Sequence, residues 1–464
     1  MAPKFGTSGL RGLVTGLTPE LVEDHVRAFL AVCNTGQGVC LGRDLRPSSP
    51  RIAADVIRAA TGMGVVVIDC GELPTPALAM AAQARGAGAI MVTGIHIPAD
   101  RNGLKFYAVA GEITKADETA ILRALGTAPS GQPVARVWVD ATAGRRFVDR
   151  YLDAFGPDAI SGRRLGLYAH SAVGRDLLAQ ILSGLGAEVI ELGRSDRFIP
   201  VDTEAVGSAT RDLVRTWVAE HRLDALVSTD GDSDRPLLAD ETGQIVPGDI
   251  LGQITAELLE ADTVVTPISS NGGVTRKGFR RVERTRIGSP HVIAAMRAAG
   301  GRAVGYEANG GFLLGFDAWG PAGPLAALPT RDCVLPLLAT LASAAGGTVS
   351  ARVAREPPVV TLSDRLQDVA QDRAQALMRD LAGSERSRQD FLGALGLAAS
   401  AVPVDLTDGV RMTLNDGRVV HVRPSGNAPE MRLYVEAGSR AGAEALLAAG
   451  LAQLGAALGA KPSG

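Results

Sequence analysis

Val227-Ser228-Thr229-Asp230-Gly231-Asp232-Ser233-Asp234-Arg235-Pro236 is the stretch on which the reading of this chain turns. The apolar run Leu223 to Val227 has the length and composition of a buried strand. It empties into three aspartates at alternate positions. Alternation in an extended loop turns all three carboxylates toward one point, where they repel unless a hard cation sits among them. Arg235 cannot join a cation shell and is suited to hold an anion beside it, phosphate above all. Asp230, Asp232, Asp234 and Glu241 also have the spacing of an EF-hand loop. That reading is set aside because Arg235 stands where the turn needs Gly, Pro236 follows, and the flanks read as strands.

Outward from this loop, a unit of helix, glycine stop and strand recurs. It runs through Ile52–Met63, Gly64 and Val65–Ile68, then Asp176–Leu185, Gly186 and Glu188–Leu192. It returns as Val292–Ala299, Gly300-Gly301 and Ala303–Gly305. The units lie roughly 120 residues apart, a usual domain size. The alternation predicts an α/β fold: three similar tandem α/β domains with largely parallel sheets. Pro19–Val32 has helical apolar spacing, and Val39–Asp44 reads as a strand running into a polar loop. After about residue 360 the pattern changes to a charged helical segment, Leu366–Leu381. Strand-like runs at Gly409–Leu414 and Val419–Val422 and an Ala-rich helix at Ala441–Leu458 follow. This is a smaller C-terminal α+β domain. The expected boundaries are 1–155, 156–249, 250–355 and 356–464.

Bulk properties narrow the function. The 464 residues exceed one core, and 46% hydrophobic with 21% charged residues is ordinary for a globular protein. A net charge of −3 argues against a nucleic-acid partner. Cys33, Cys40, Cys70 and Cys333 show no metal spacing and are expected as reduced, buried thiols in a cytoplasmic protein. Met1–Gly12 lacks the apolar core of a signal peptide, and no apolar run is expected to span a bilayer.

Four further stretches carry chemistry. Phe5–Gly12 gathers small residues around Arg11, backbone that suits an anion. Arg43 and Arg46 are expected to pair with acids. Ala89–Val92 delivers Thr93-Gly94-Ile95-His96, followed by Asn102-Gly103-Leu104-Lys105, at the end of a buried strand. In Gly305-Tyr306-Glu307-Ala308-Asn309 a carboxylate and an amide stand two apart and suit sugar hydroxyls. In Arg423-Pro424-Ser425-Gly426-Asn427-Ala428-Pro429-Glu430-Met431-Arg432, hydroxyl and amide donors lie between two arginines, an anion cradle.

As an ordered set spanning nearly the whole chain, these motifs resemble the α-D-phosphohexomutase superfamily, particularly its bacterial phosphomannomutase/phosphoglucomutase type. The resemblance implies four domains around a central cleft and reversible phosphate transfer between O1 and O6 of a hexose. A phosphoserine carries the group, and hexose 1,6-bisphosphate is intermediate and activator. It further implies Mg²⁺ on Asp230, Asp232 and Asp234, with Arg235 and Arg11 on the transferring phosphoryl. His96 and Lys105 take acid/base and charge-neutralising roles, and Glu307 and Asn309 grip the sugar. Arg423, Ser425, Gly426 and Asn427 clamp the other phosphate, with Arg432 nearby; Lys277 and His291 are weaker transfers. The implied partners are small-molecule sugar phosphates, with neither nucleic acid nor membrane, and the chain is expected as a monomer or small homo-oligomer serving nucleotide-sugar supply.

One position departs. Where the family reads Thr-(Ala/Gly)-Ser-His, this chain has Thr93-Gly94-Ile95-His96. Ile95 has no oxygen to carry phosphate. Two expectations follow: a phosphohexomutase with impaired turnover, or a catalytically silent relative that binds sugar phosphates. A third, phosphate carried by His96, is weaker, because the family already has a histidine beside its serine. Asn309 and Gly311, where many relatives have serine and histidine, are milder changes.

Overall fold

The computed structural model describes residues 3–6, 9–95, 97–131, 133–398, 402–425 and 429–459. The chain forms two compact units, residues 1–264 with 288–355, and residues 265–287 with 356–464.

In the first unit, local chemistry starts the elements where the sequence predicts. Pro19–Val32 is a helix opened by Pro19 and capped by Thr18, whose side chain accepts the Leu21 N–H at 3.3 Å. Val22, Val26 and Phe29 recur at helical spacing and are fully buried. The next helix, Ser49–Gly62, begins three residues earlier than its apolar period suggests, because Pro50 fits a first helical turn. The strand after it, Val67–Glu72, begins two residues later than expected. The Val65 N–H is spent on Ala60 O, closing the helix.

The sheets are mixed, which corrects the expectation of largely parallel pairing. Val39–Arg43 pairs in parallel with both Val67–Glu72 and Gly88–Val92, but Gly88–Val92 turns back on Arg101–Ala108 in antiparallel register. In the second sheet Arg164–Tyr168 has parallel neighbours in Glu188–Leu192 and Ala225–Thr229; Ala225–Thr229 then returns antiparallel as Pro236–Asp240. Ala303–Tyr306 and Phe312–Leu314 form a third antiparallel pair, extended by Leu328–Asp332. Each chemistry-bearing loop of this unit is therefore the turn of a hairpin. Helix–strand alternation builds the parallel half of the first two sheets, and the hairpin's return strand is what the alternation does not announce.

The second unit is an antiparallel sheet of Val360–Leu366, Met431–Ala437, Val419–Pro424, Val410–Thr413 and Val404–Asp405, in that spatial order. The described ends of the stretch Arg423–Arg432 lie on or beside the antiparallel pair Val419–Pro424 and Met431–Ala437. The charged segment starting at Leu366 is shorter than expected: the helix is Gln371–Gly383. The residues before it form an edge strand, whose exposed Ser363, Asp364 and Arg365 obscure its pattern. Arg440–Leu458 corrects the membrane expectation. At 19 residues and mean hydropathy 1.4 it is long and apolar enough to cross a bilayer. In this fold it packs on Val360–Leu366 and Met431–Ala437, with Ala443, Leu446, Leu451, Leu454 and Leu458 in the unit's core.

Gly248 opens the helix Gly248–Leu258 directly against the turn that carries Glu307 and Asn309. A Cβ there would lie 2.3 Å from Gly310 N and 2.6 Å from Ala308 O. Backbone cannot step aside as a side chain can. Gly248→Ala is expected to cost about 1–3 kcal/mol, read as a lowered thermal unfolding midpoint.

Candidate functional site

Strand Ala225–Thr229 is wholly buried and delivers Asp230 at its end; Pro236–Asp240 leaves from Arg235. The connection is a tight turn and not the extended loop that alternation suggested. Ser233 N–H donates to Asp230 O at 3.2 Å, and Asp230 N–H to Arg235 O at 3.2 Å. Ser233 adopts the left-handed conformation with φ 53°. Its hydroxyl accepts the Gly174 N–H at 3.0 Å and lies 2.9 Å from Thr229 Oγ1, which holds the turn in place. Glu241 is drawn away to Ser350, so the EF-hand spacing has no structural counterpart.

The three aspartates are fully buried, and in each the protein ties one oxygen and leaves the other. Asp230 Oδ1 accepts the N–H groups of Asp234 (3.1 Å) and Arg235 (3.2 Å). Asp232 Oδ2 accepts from Thr75 Oγ1 (2.7 Å) and Lys105 Nζ (2.5 Å). Asp234 Oδ2 accepts from Lys105 Nζ (2.5 Å) and Arg331 Nε (3.0 Å). Asp230 Oδ2, Asp232 Oδ1 and Asp234 Oδ1 have no hydrogen-bond partner among the described residues. One ligand atom from each aspartate can be chosen so that all lie within 4.8 Å of one another. Three buried carboxylate oxygens without a hydrogen-bond partner among the described residues are a donor set for a hard divalent cation. The electrostatics agree. Burial, then Asp232 and Asp234, push the Asp230 carboxyl well above the usual carboxylate range. Burial acts the same way on Asp234, but Arg331, Lys105 and Arg235 together hold it below that range.

Cations surround the cluster. Lys105, on Arg101–Ala108, is buried and bridges Asp232 and Asp234. Arg235 Nε lies 3.8 Å from Asp230 Oδ2 and 3.7 Å from Asp234 Oδ1. Arg11 stands on Leu10–Leu13, paired beside Gly103. Burial, then the charges of Arg235 and Arg331, lower its pKa to about 10. Three guanidiniums thus stand near enough to repel, an arrangement that favours an anion.

Ile95 lies against this turn. It is fully buried and left-handed, φ 60°, a strained setting for a β-branched residue. Its N–H donates to Thr93 Oγ1 at 2.8 Å. Its carbonyl oxygen accepts from Arg46 Nη2 at 3.0 Å and would lie 2.9 Å from a Cβ on Gly231. The Thr93–Ile95 loop and the aspartate turn therefore abut. Arg43 and Arg46 do pair with acids as expected, Asp69 and Asp44, each at 3.4 Å. Arg46 does more: it also donates to Ile97 O at 2.6 Å and stacks on Phe198, 3.7 Å from the ring centroid.

In the third hairpin, Glu307 and Asn309 are buried in a turn closed by Gly310 N–H to Glu307 O (2.9 Å). Asn309 Oδ1 accepts the Gly311 N–H at 3.0 Å. Arg331 Nη1 donates to Glu307 Oε2 at 3.3 Å, which links this turn to the aspartate turn. His291 lies on the helix Ser289–Ala299. In the second unit Arg423 and Arg432 face each other across adjacent strands. Their acidic neighbours are Asp408, 3.4 Å from Arg423, and Glu430, 3.5 Å from Arg432. Ser425 N–H donates to Glu430 O at 2.8 Å. Lys277 pairs with Glu356. His96, Gly426 and Asn427 lie outside the described residues. Sequence reasoning missed Thr75, Arg46's support of the Ile95 loop, and Arg331. The only signal for Arg331 was a charged pair, Arg331-Asp332, just before the apolar helix Val334–Ser343.

The phosphoglucomutase/phosphomannomutase family models match in order along the chain. The three alpha/beta/alpha domain models cover residues 2–130 (domain I), 146–243 (domain II) and 247–360 (domain III), and the C-terminal domain model covers 364–452. The chain belongs to the phosphoglucomutase/phosphomannomutase family. A phosphomannomutase of Sinorhizobium fredii (strain NBRC 101917 / NGR234) is 45% identical over 472 residues, 98% of this chain and 99% of the relative. A phosphoglucomutase/phosphomannomutase family protein of Burkholderia thailandensis has the same fold, with TM-score 0.79, 20% identity and 97% of each chain covered. An Aspergillus fumigatus N-acetylphosphoglucosamine mutase, solved in complex with GlcNAc-6P and magnesium, shares the fold at TM-score 0.56. It is 15% identical over 99% of this chain and 96% of that one.

The strand that feeds the aspartate turn rests on a histidine. His170 is fully buried, and its Nε2 lies 2.8 Å from Thr229 O. Burial lowers its pKa to about 4, against an opposing contribution from the Thr229 carbonyl. The folded state binds this proton later than the unfolded state, so the His170 contribution to stability is present above about pH 6.5 and shrinks as pH falls toward 4. Denaturant titrations from pH 7 to pH 4 are expected to show this decline, with a smaller slope in His170→Gln.

Proposed function

We propose that this chain is a phosphohexomutase that binds hexose 6-phosphate and hexose 1-phosphate with Mg²⁺, and that Ile95 impairs its turnover. The observation that carries the reading is the aspartate turn: three buried carboxylate oxygens without a hydrogen bond among the described residues, near Lys105, Arg235 and Arg11, with the Ile95 loop against it. Asp230, Asp232 and Asp234 would hold the cation, which when bound offsets charge on the phosphoryl oxygens. Arg235 and Arg11 orient the phosphoryl group, since a loose transition state needs positioning and charge more than covalent help. Lys105 supplies a further positive charge, and His96 is assigned to proton transfer. Glu307 and Asn309 accept and donate to sugar hydroxyls. Arg423, Ser425, Gly426, Asn427 and Arg432 hold the phosphate that is not transferred. Hexose 1,6-bisphosphate is the intermediate and activator. The 45% identical phosphomannomutase supports the activity, and the magnesium and GlcNAc-6P of the Aspergillus enzyme support the ligands.

Ile95 itself favours a second reading, a sugar-phosphate-binding protein without turnover. The two readings separate in one comparison. Mannose 1-phosphate and glucose 1-phosphate are each supplied with Mg²⁺ and a trace of the matching 1,6-bisphosphate. Ile95→Ser is expected to turn over roughly 10³-fold faster or more, the scale of losing a nucleophile, and to carry one phosphate by intact-protein mass spectrometry. Equal rates in parent and variant would falsify the assignment of position 95.

Binding tests the grip independently of turnover. Arg423→Ala is expected to weaken hexose 6-phosphate binding by about 1.5–3 kcal/mol, the range for a hydrogen bond to a charged group, measured by isothermal titration calorimetry.

A further inference from the structure

Arg331 has no role in the family resemblance, yet it is among the most heavily bonded side chains of the site. It stands on Leu328–Asp332, and its side chain is 3% exposed. Its neighbours pin the strand in place. Asp332 accepts from Tyr151 Oη at 2.5 Å and from the Val334 N–H at 2.9 Å, which fixes the start of the following helix. The guanidinium is divided between two turns. Nε and Nη2 both reach Asp234 Oδ2 at 3.0 Å. Nη1 reaches Glu307 Oε2 at 3.3 Å and Ser289 Oγ at 3.4 Å, and Ser289 Oγ donates in turn to Glu112. A planar fork with donors at fixed angles sets the direction of both carboxylates, whereas an ammonium acts as a point charge on a flexible stem.

Resting on the mutase reading, we infer that Arg331 is a positioning residue for sugar recognition. Anchored on Asp234 of the aspartate turn, it holds the Glu307 carboxylate in the one orientation from which that group meets the hexose hydroxyls. It acts through Glu307 and need not touch the sugar. The carboxylate that grips the hexose is thereby registered to the turn that handles the phosphoryl group. A hydroxyl and the transferring phosphate are presented at a fixed separation.

A double-mutant cycle tests this, with glucose 6-phosphate and mannose 6-phosphate as calorimetric probes. Arg331→Lys keeps the charge and one contact to Asp234 but cannot span to Glu307. Arg331→Lys and Glu307→Gln are each expected to weaken the tighter-bound sugar phosphate about tenfold. The double variant should fall within about threefold of either single variant, because both break one interaction. Additive losses, about a hundredfold in the double variant, would overturn the inference, as would an Arg331→Lys affinity within twofold of the parent. Mn²⁺ binding, followed on the same proteins, is expected to stay within about threefold in Arg331→Lys, since Lys105 still holds Asp232 and Asp234. Its loss would show that Arg331 supports the aspartate turn as a whole and would also overturn the inference. In the Ile95→Ser background, Arg331→Lys should raise KM about tenfold with kcat within about threefold; a fall confined to kcat counts against it. Failure of the mutase reading looks different: the parent itself would bind neither sugar phosphate, and the assignment of Arg331 would fall with it.

Discussion

Three carboxylates forced into one buried turn are the constraint on which the rest of the molecule depends. At separations within 4.8 Å, each pair of charges repels by roughly 3–4 kcal/mol at an effective dielectric near 20. No turn geometry relieves that. The fold answers by fixing one oxygen of each carboxylate and bringing cations from distant strands to the rim. Lys105 comes from the first sheet, Arg331 from the third, and the Asp234 and Arg235 backbone amides from the turn itself. The remaining oxygens, Asp230 Oδ2, Asp232 Oδ1 and Asp234 Oδ1, are left without a hydrogen bond among the described residues. Packing, charge balance and the metal donor set are three descriptions of one arrangement.

This explains why the turn draws on elements distant in sequence. A turn with this much negative charge cannot be stabilised by its own hairpin. Buried donors must come from elements that enclose it, and each such donor needs a rigid strand beneath it. Arg101–Ala108 and Leu328–Asp332 are both largely buried, and each carries a basic side chain, Lys105 or Arg331, into the interior. The recurrence of hairpins at the functional loops has the same origin. A hairpin turn places its residues at a sheet's end with both backbone exits held by ladder bonds, so side chains there are aimed more firmly than on a free loop.

Much of this was legible in the sequence, and the parts that were not share a cause. The apolar period of the helix Pro19–Val32, the Ala-rich composition of the helix Arg440–Leu458 and the short apolar strand Ala225–Thr229 are all local patterns. The aspartates were legible because their spacing is local. The return strands were not: Pro236–Asp240 is buried throughout, and without alternation its direction leaves no mark in the sequence. Val360–Leu366 was hidden by the reverse effect, an edge strand whose exposed charged residues imitate a surface helix. Arg331 lies 97 residues from its partner Asp234, and Thr75 lies 157 from Asp232. No spacing rule links such pairs. Arg46 was correctly paired with Asp44, but one partner does not exhaust five donors, and the remaining ones support the Ile95 loop.

Ile95 shows how separable the framework is from its chemistry. Its hydrogen bonds are made by its backbone: the N–H to Thr93, the carbonyl oxygen to Arg46. The left-handed conformation costs a β-branched residue about 1–3 kcal/mol, yet the loop keeps it, because Arg46 and the abutting aspartate turn determine the backbone there whatever side chain it carries. None of the bonds that order Asp230, Asp232, Asp234, Lys105 or Arg331 passes through that side chain. In the mutase proposed above, a residue without oxygen at this position removes a phosphoryl acceptor while these bonds, which do not involve its side chain, are kept. On that proposal the grip on an anion and the transfer of that anion are set by different atoms, and one substitution parts them.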